Sequence, residues 1–205
     1  MTIKKLHRLS GITITLFVGL HLFNHICSIN GAAKHIEIMN LLRHFYRNIF
    51  VETILLAAIL VQIISGLTLF RKNRKTTVTN FDKLQIWTGL YLAVFLLIHV
   101  PVILIGRLYL NLETNFYFGV AGLNTFPLNL FFIPYYSLAI ISFFGHIAAI
   151  HSKKMKRTLI GITPNSQAIL ILMIGFFNTT LILYGLTNHF SGVEIPKQYH
   201  ILIGK

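Results

Sequence analysis

Residues 84–106 read LQIWTGLYLAVFLLIHVPVILIG, a run without a single Asp, Glu, Lys or Arg. Roughly 20 apolar residues carry a helix across the hydrocarbon of a bilayer, so this run is long enough to span one. Four more long apolar runs lie at 9–29, 49–70, 127–151 and 166–188, the second of them carrying Glu52. Composition agrees with them. Of 205 residues 55% are hydrophobic, only 11% are charged, and mean hydropathy is +0.70, where a soluble domain carries about 25% charged residues. These features predict an all-α integral membrane bundle of five transmembrane helices, folded as one domain over residues 1–205.

The net charge of +13 follows the same plan. Lys4, Lys5 and Arg8 precede the first span; Arg71, Lys72, Arg74, Lys75 and Lys83 lie between the second and third; Lys153, Lys154, Lys156 and Arg157 lie between the fourth and fifth. Twelve of the 18 basic residues thus fall on one side of the membrane. The positive-inside rule makes that side cytoplasmic, with the N-terminus inside and the C-terminus outside. Such a distribution encodes topology and argues against a nucleic-acid partner; the partner it implies is the lipid bilayer. Lys4–Lys5 ahead of an apolar run has the flavour of a signal peptide, but no small-residue cleavage site follows, and the segment reads as an uncleaved first helix. Cys27 is the only cysteine, which excludes an internal disulfide and a Cys-x-x-Cys-His haem attachment. Between the spans, residues 32–48 have the pattern of a short amphipathic helix on the outer surface. Residues 108–127, rich in aromatics and Asn, have that of an interfacial loop. Glu52, near the outer end of the second span, reads as an interfacial residue.

Within the spans one pattern recurs. Residues 10–21, SGITITLFVGLH, and 88–99, TGLYLAVFLLIH, each carry a hydroxyl residue, a glycine and, ten residues after the glycine, a histidine. The first and third spans run in the same direction, and ten residues of helix rise about 15 Å, so His21 and His99 come to equal depth toward the outer leaflet. The second and fourth spans end alike, in LFRK and HSKK, as expected of a pseudo-repeat relating spans one–two to spans three–four. Ionisable groups inside a membrane are costly and usually functional. Two imidazoles at one depth on parallel helices are the ligand set of a b-type haem, which takes two axial histidines and apolar walls. Gly19 and Gly89 offer room for a flat macrocycle, and Pro101 frees a carbonyl that could orient the His99 ring. Plain hydrogen bonding between helices is the competing account of the pair. His25, His35, His44 and His189 could likewise form an outer metal site or simply be interfacial histidines.

Toward the inner side His146 occupies the fourth span, while the second offers only Gln62. A second haem there would be ligated unusually, and a polar pocket is the alternative.

The stretch LHRLSG, 6–11, resembles the start of the first membrane helix of succinate dehydrogenase and fumarate reductase cytochrome b subunits, and the five-helix plan resembles the single-subunit version of that family. The resemblance implies an outer haem on His21 and His99 and an inner one involving His146 and the position of Gln62. It further implies a quinone pocket or haem-propionate contacts bordered by His7, Arg8 and Ser10; where the family has a serine one turn earlier, this chain has Lys4. Flavin and iron–sulfur subunits would dock on the cytoplasmic face, since this chain carries no dehydrogenase motif of its own. The run 21–67, HLFNHICSINGAAKHIEIMNLLRHFYRNIFVETILLAAILVQIISGL, is similar to a bacterial membrane family related to the transmembrane domain of a mitochondrial adapter of lipid homeostasis and haem. The expectations are therefore a bacterial inner-membrane protein with one haem b, or two, and a quinone. Two readings compete with it: a haem-free transporter using the buried histidines and Gln62 as a proton or metal path, and a membrane scaffold or lipid-homeostasis factor.

Overall fold

The computed structural model describes residues 2–205. It contains α1 (Ile3–Ile26), continued by a 3-10 turn Cys27–Asn30, then α2 (Ala32–Tyr46), α3 (Ile49–Asn73), α4 (Asn80–Leu108), α5 (Phe116–Val120), α6 (Asn129–Lys154), α7 (Pro164–Leu186) and a C-terminal 3-10 segment Lys197–Ile203. Five of these, α1, α3, α4, α6 and α7, are long and apolar enough to cross a membrane. The protein is an integral membrane protein, and the lipid bilayer is its solvent. The helices overrun the apolar stretches at several ends because their charged flanks remain helical: α1 begins at Ile3 and takes in Lys4, Lys5 and Arg8.

Local chemistry sets the boundaries. Thr79 caps α4 in a reciprocal capping box with Asp82, satisfying two otherwise unpaired N–H groups. Thr163 caps α7 ahead of Pro164, the residue best tolerated in a first turn. Asn48 caps α3 by accepting from the Phe50 N–H. Gly31, at φ 93°, turns the chain from the end of α1 into α2, a conformation that side-chain-bearing residues rarely adopt.

The spans form a ring. α1 packs on α3 and α7, α4 on α3 and α6, and α6 on α7. Neighbours alternate in direction, as their contacts record. His7 near the start of α1 meets Ser65 near the end of α3, Arg107 at the end of α4 pairs with Glu52 at the start of α3, and His151 of α6 meets Gln167 of α7. The ring closes where α7 runs parallel to α1. There Gly185 lies so close to Ser28 and the Ile29 amide that a Cβ would strike backbone. Between α6 and α7 the residues are small: Ala148, Ala149 and Ala168 are wholly buried, with Gly145 and Gly175 beside them. Close backbone approach of this kind holds helices together in lipid, where no hydrophobic force does so.

The two ends of the ring differ. One, the basic end, carries the N-terminus and the lysine-rich connections, with Lys153 paired to Asp82. The other, the capped end, is closed by α2, α5 and the C-terminal segment. Residues 108–127, expected to be an interfacial loop, instead supply the best-buried part of the molecule. Phe116, Val120 and Leu123 pack with Ile140, Ile182 and Leu186. Tyr199 is fully buried over them and donates to Glu113 O (3.0 Å) and Asn115 Oδ1 (2.9 Å). Glu52 is neutralised by Arg107 at 2.6 Å.

Candidate functional site: an imidazole cluster inside the bundle

Four histidines from three helices gather inside the capped end. His21 and His25 lie one turn apart on α1 and so share a face; their Nε2 atoms are 3.1 Å apart. His35 of α2 puts its Nε2 3.2 Å from His25 Nδ1 and 3.2 Å from the Asn24 amide. His99 of α4 faces His21 across the ring, with ring centres 6.4 Å apart. Both facing imidazoles are backed by a phenylalanine one turn earlier. Phe17 stacks on His21 at 5.8 Å and Phe95 on His99 at 4.8 Å, each at an interplanar angle of 16°. Tyr136 of α6 presents its ring edge-on to His99 at 6.3 Å, and Tyr46 does so to Phe17 at 5.4 Å.

The Asn24 amide donates to His35 Nε2 and so engages the single lone pair of that nitrogen, and the 3.2 Å contact from His25 Nδ1 to the same atom does not fix the His25 tautomer. The 3.1 Å contact between His25 Nε2 and His21 Nε2 requires a proton on one of the two nitrogens. Asn24 Oδ1 and His35 Nδ1 are buried without partners. His35, outside the spans and 3% exposed, has its pKa pushed down to about 4 by burial, then by His21 and Arg43. It is neutral at physiological pH. Because His25 spends its two nitrogens on two different neighbours, the chain is a relay of contacts and not a coordination sphere. No group of three or more His, Cys, Asp or Glu side chains among the described residues is arranged to hold a bare metal ion. The other two members of the outer histidine set stand apart: His44 Nδ1–H donates to Asn40 O, and His189 stacks on Tyr184 and contacts Ile29 O. The His99 ring makes no hydrogen bond, so the carbonyl freed by Pro101, which stays within a continuous α4, does not orient it.

At the basic end the polar groups sort into two separate clusters. In one, Ser10 donates to Gln62 Oε1 at 2.6 Å, Gln62 Nε2 is 3.3 Å from His7 Nε2, and His7 Nδ1 is 2.8 Å from Ser65 Oγ. Arg8 is exposed and lies outside this group. In the other, His146 Nδ1–H donates to Gln85 O at 3.1 Å with Thr88 Oγ1 at 3.4 Å, leaving its Nε2 free. No hydrogen bond joins Gln62 to His146. A Cβ on Gly11 would meet Gln62, and one on Gly89 would meet His146, so Gly89 serves helix packing. Gly19 is exposed on the outer face. Neither glycine lines the space between His21 and His99, contrary to the role expected of them.

Sequence reasoning reached His21, His99, His7, Ser10, Gln62 and His146 but missed Asn24, His35 as an interior group, Phe17, Phe95 and Ser65. Two signals were present: the Phe-x-x-x-His spacing shared by 17–21 and 95–99, and the Ser65–Gly66 pair matching Ser10–Gly11. The molecule is of a definite class, an integral membrane helix ring with imidazoles clustered in its interior. No protein family, curated protein or solved structure matches the chain.

Proposed function

We propose that the protein is a haem b-binding membrane protein of the cytochrome b anchor type, with His21 and His99 as the axial ligands of one haem. The observation that carries this reading is the 6.4 Å between their ring centres. With metal–imidazole bonds of about 2 Å, that separation would leave room for one metal atom held by a ring nitrogen of each histidine. The flanking Phe17, Phe95 and Tyr136 supply the apolar and aromatic walls a porphyrin needs. When bound, the haem supplies one-electron chemistry. The chain's own groups would hold it: His21 and His99 would each offer a ring nitrogen, and His25, 3.1 Å from His21 Nε2, would steady the His21 ring.

The finer architecture belongs to the same proposal. The N-terminus is cytoplasmic and the C-terminus outside, in a bacterial inner membrane. α1–α3 and α4–α6 form a pseudo-repeat, supported by the paired Phe–His stacks and by Gln62 and His146 standing over Gly11 and Gly89. A quinone exchanges electrons at the basic end near His7, Ser10 and Gln62, and flavin or iron–sulfur subunits dock on the lysine-rich face. The Gln62 amide is committed to Ser10 and His7, which favours one haem over two.

A dithionite-reduced minus oxidised spectrum of the purified protein, with haem and protein quantified, tests this. The expected result is a b-type α-band at one haem per chain. A folded preparation from haem-replete cells that contains no haem would overturn the reading and move transport or scaffolding to the front.

A further inference from the structure

A groove with a cavity volume of about 650 Å³ opens on the capped end, between α2 and the segment that follows α4. Asn40, Arg43, His44, Arg47, Glu113 and Asn115 line it. Its charges do not balance. Arg43, almost fully buried, donates to Glu113 at 2.9 Å and to Thr114 O at 2.8 Å, and Arg107 is held by Glu52. Both local carboxylates are therefore used, and Arg47 is in no ion pair. Its one side-chain hydrogen bond goes to Thr114 Oγ1 at 2.9 Å, leaving most of the five N–H donors of the guanidinium free. Burial lowers the Arg47 pKa, as does Arg43 beside it, Glu113 opposes the shift in part, and Arg107 adds to it. A half-buried cation beside a second guanidinium whose carboxylate is already paired is stabilised by a further anion. A guanidinium with free donors fits phosphate in a two-pronged fashion, and the Asn40 and Asn115 amides stand in the same groove. Two and three residues beyond Arg47, Ile49 and Phe50 open α3 and are 69% and 76% exposed. The cation therefore sits where the apolar surface of the bundle begins, at headgroup level.

We infer that this groove binds a phosphate-bearing anion, with Arg47 as its principal contact. The anion comes either from the headgroup of an anionic lipid, whose acyl chains lie along Ile49 and Phe50, or from free phosphate. The inference is independent of the haem reading.

Native mass spectrometry of the detergent-purified full chain, titrated separately with phosphatidylglycerol, phosphatidylcholine and inorganic phosphate, tests it. Phosphatidylglycerol is expected to bind at one per chain and phosphatidylcholine more weakly. Arg47→Gln should weaken phosphatidylglycerol about tenfold, the loss of a charge-assisted hydrogen-bonding group. Arg47→Lys, which keeps the charge without the fork, should fall between. Lys156→Gln at the basic end should change nothing, and unaltered melting temperatures show that the variants fold. Inorganic phosphate that binds with the same Arg47 dependence and displaces the lipid supports the site and assigns it to free phosphate. Equal phosphatidylglycerol binding by wild type and Arg47→Gln, or no preference over phosphatidylcholine, overturns the inference.

Discussion

The two ends of the ring are built on the same helices yet hold polar groups in opposite ways. At the capped end, imidazoles from α1 and α4 meet with ring centres 6.4 Å apart and no hydrogen bond between them, while His25, His35 and Asn24 engage only one of them. At the basic end, the polar groups bond to the helix packed directly against them: Ser10 and His7 to α3, and His146 through its Nδ1 to α4. Groups that saturate one another within a helix pair hold that pair together. Groups that face each other without a hydrogen bond are available to a ligand. The same physics, in which a buried polar atom must find a partner, thus ties helix pairs together at the basic end and leaves the His21–His99 pair for the haem we propose at the capped end.

The largest expected effect tests this division directly. His99→Ala should abolish haem absorbance, while His146→Ala should leave one haem per chain; haem content measured on both variants decides, and loss in both would erase the distinction. Next comes Gly185→Ala, whose methyl meets Ser28 and Ile29 backbone that cannot yield. Overpacking of this kind costs about 1–3 kcal/mol, read as a lowered melting temperature in detergent with the ring's closure weakened. Gln62→Leu should cost about 1–2 kcal/mol by leaving Ser10 and His7 without their amide partner, and the haem spectrum should stay unchanged. The pH response is of similar size and belongs to the capped end. His35 has a folded pKa of about 4 against an ordinary 6.5, so its contribution to stability is complete above 6.5 and is lost as pH falls from there toward 4. Melting temperatures between pH 7.5 and 5 should decline, and less so in His35→Gln. The smallest effect separates two glycines at the basic end. Gly89→Ala brings a methyl to 3.1 Å from His146 and should destabilise slightly, whereas Gly11→Ala meets Gln62 at an ordinary 3.4 Å and should be nearly neutral.

Most of the helical plan was legible because hydrophobic length is the strongest signal a membrane sequence carries. All five spans agree with the expected runs, the ends moving by a few residues where charged flanks stay helical. Residues 108–127 were misread for a physical reason. Their aromatics and asparagines match interfacial composition, but Phe116, Val120 and Leu123 point inward once α5 turns, and a five-residue helix has no periodicity to announce that. His35 was hidden in the same way. Amphipathicity placed α2 on the surface correctly, yet its buried face is His35, Met39 and Arg43, two of them polar, so a hydrophobic criterion could not choose it. His21 and His99 were legible through their spacing from a glycine. The relay behind His21 was not, since it depends on how α2 folds back over α1.

Near-infrared magnetic circular dichroism and electron paramagnetic resonance of the oxidised, purified protein test the central claim most directly, because both report the axial ligands of a haem iron. The account predicts a low-spin, bis-imidazole haem in the wild type that is lost or turned high-spin in both His21→Ala and His99→Ala. A bis-imidazole signal surviving in either variant, or a wild-type haem with other axial ligands, would contradict it.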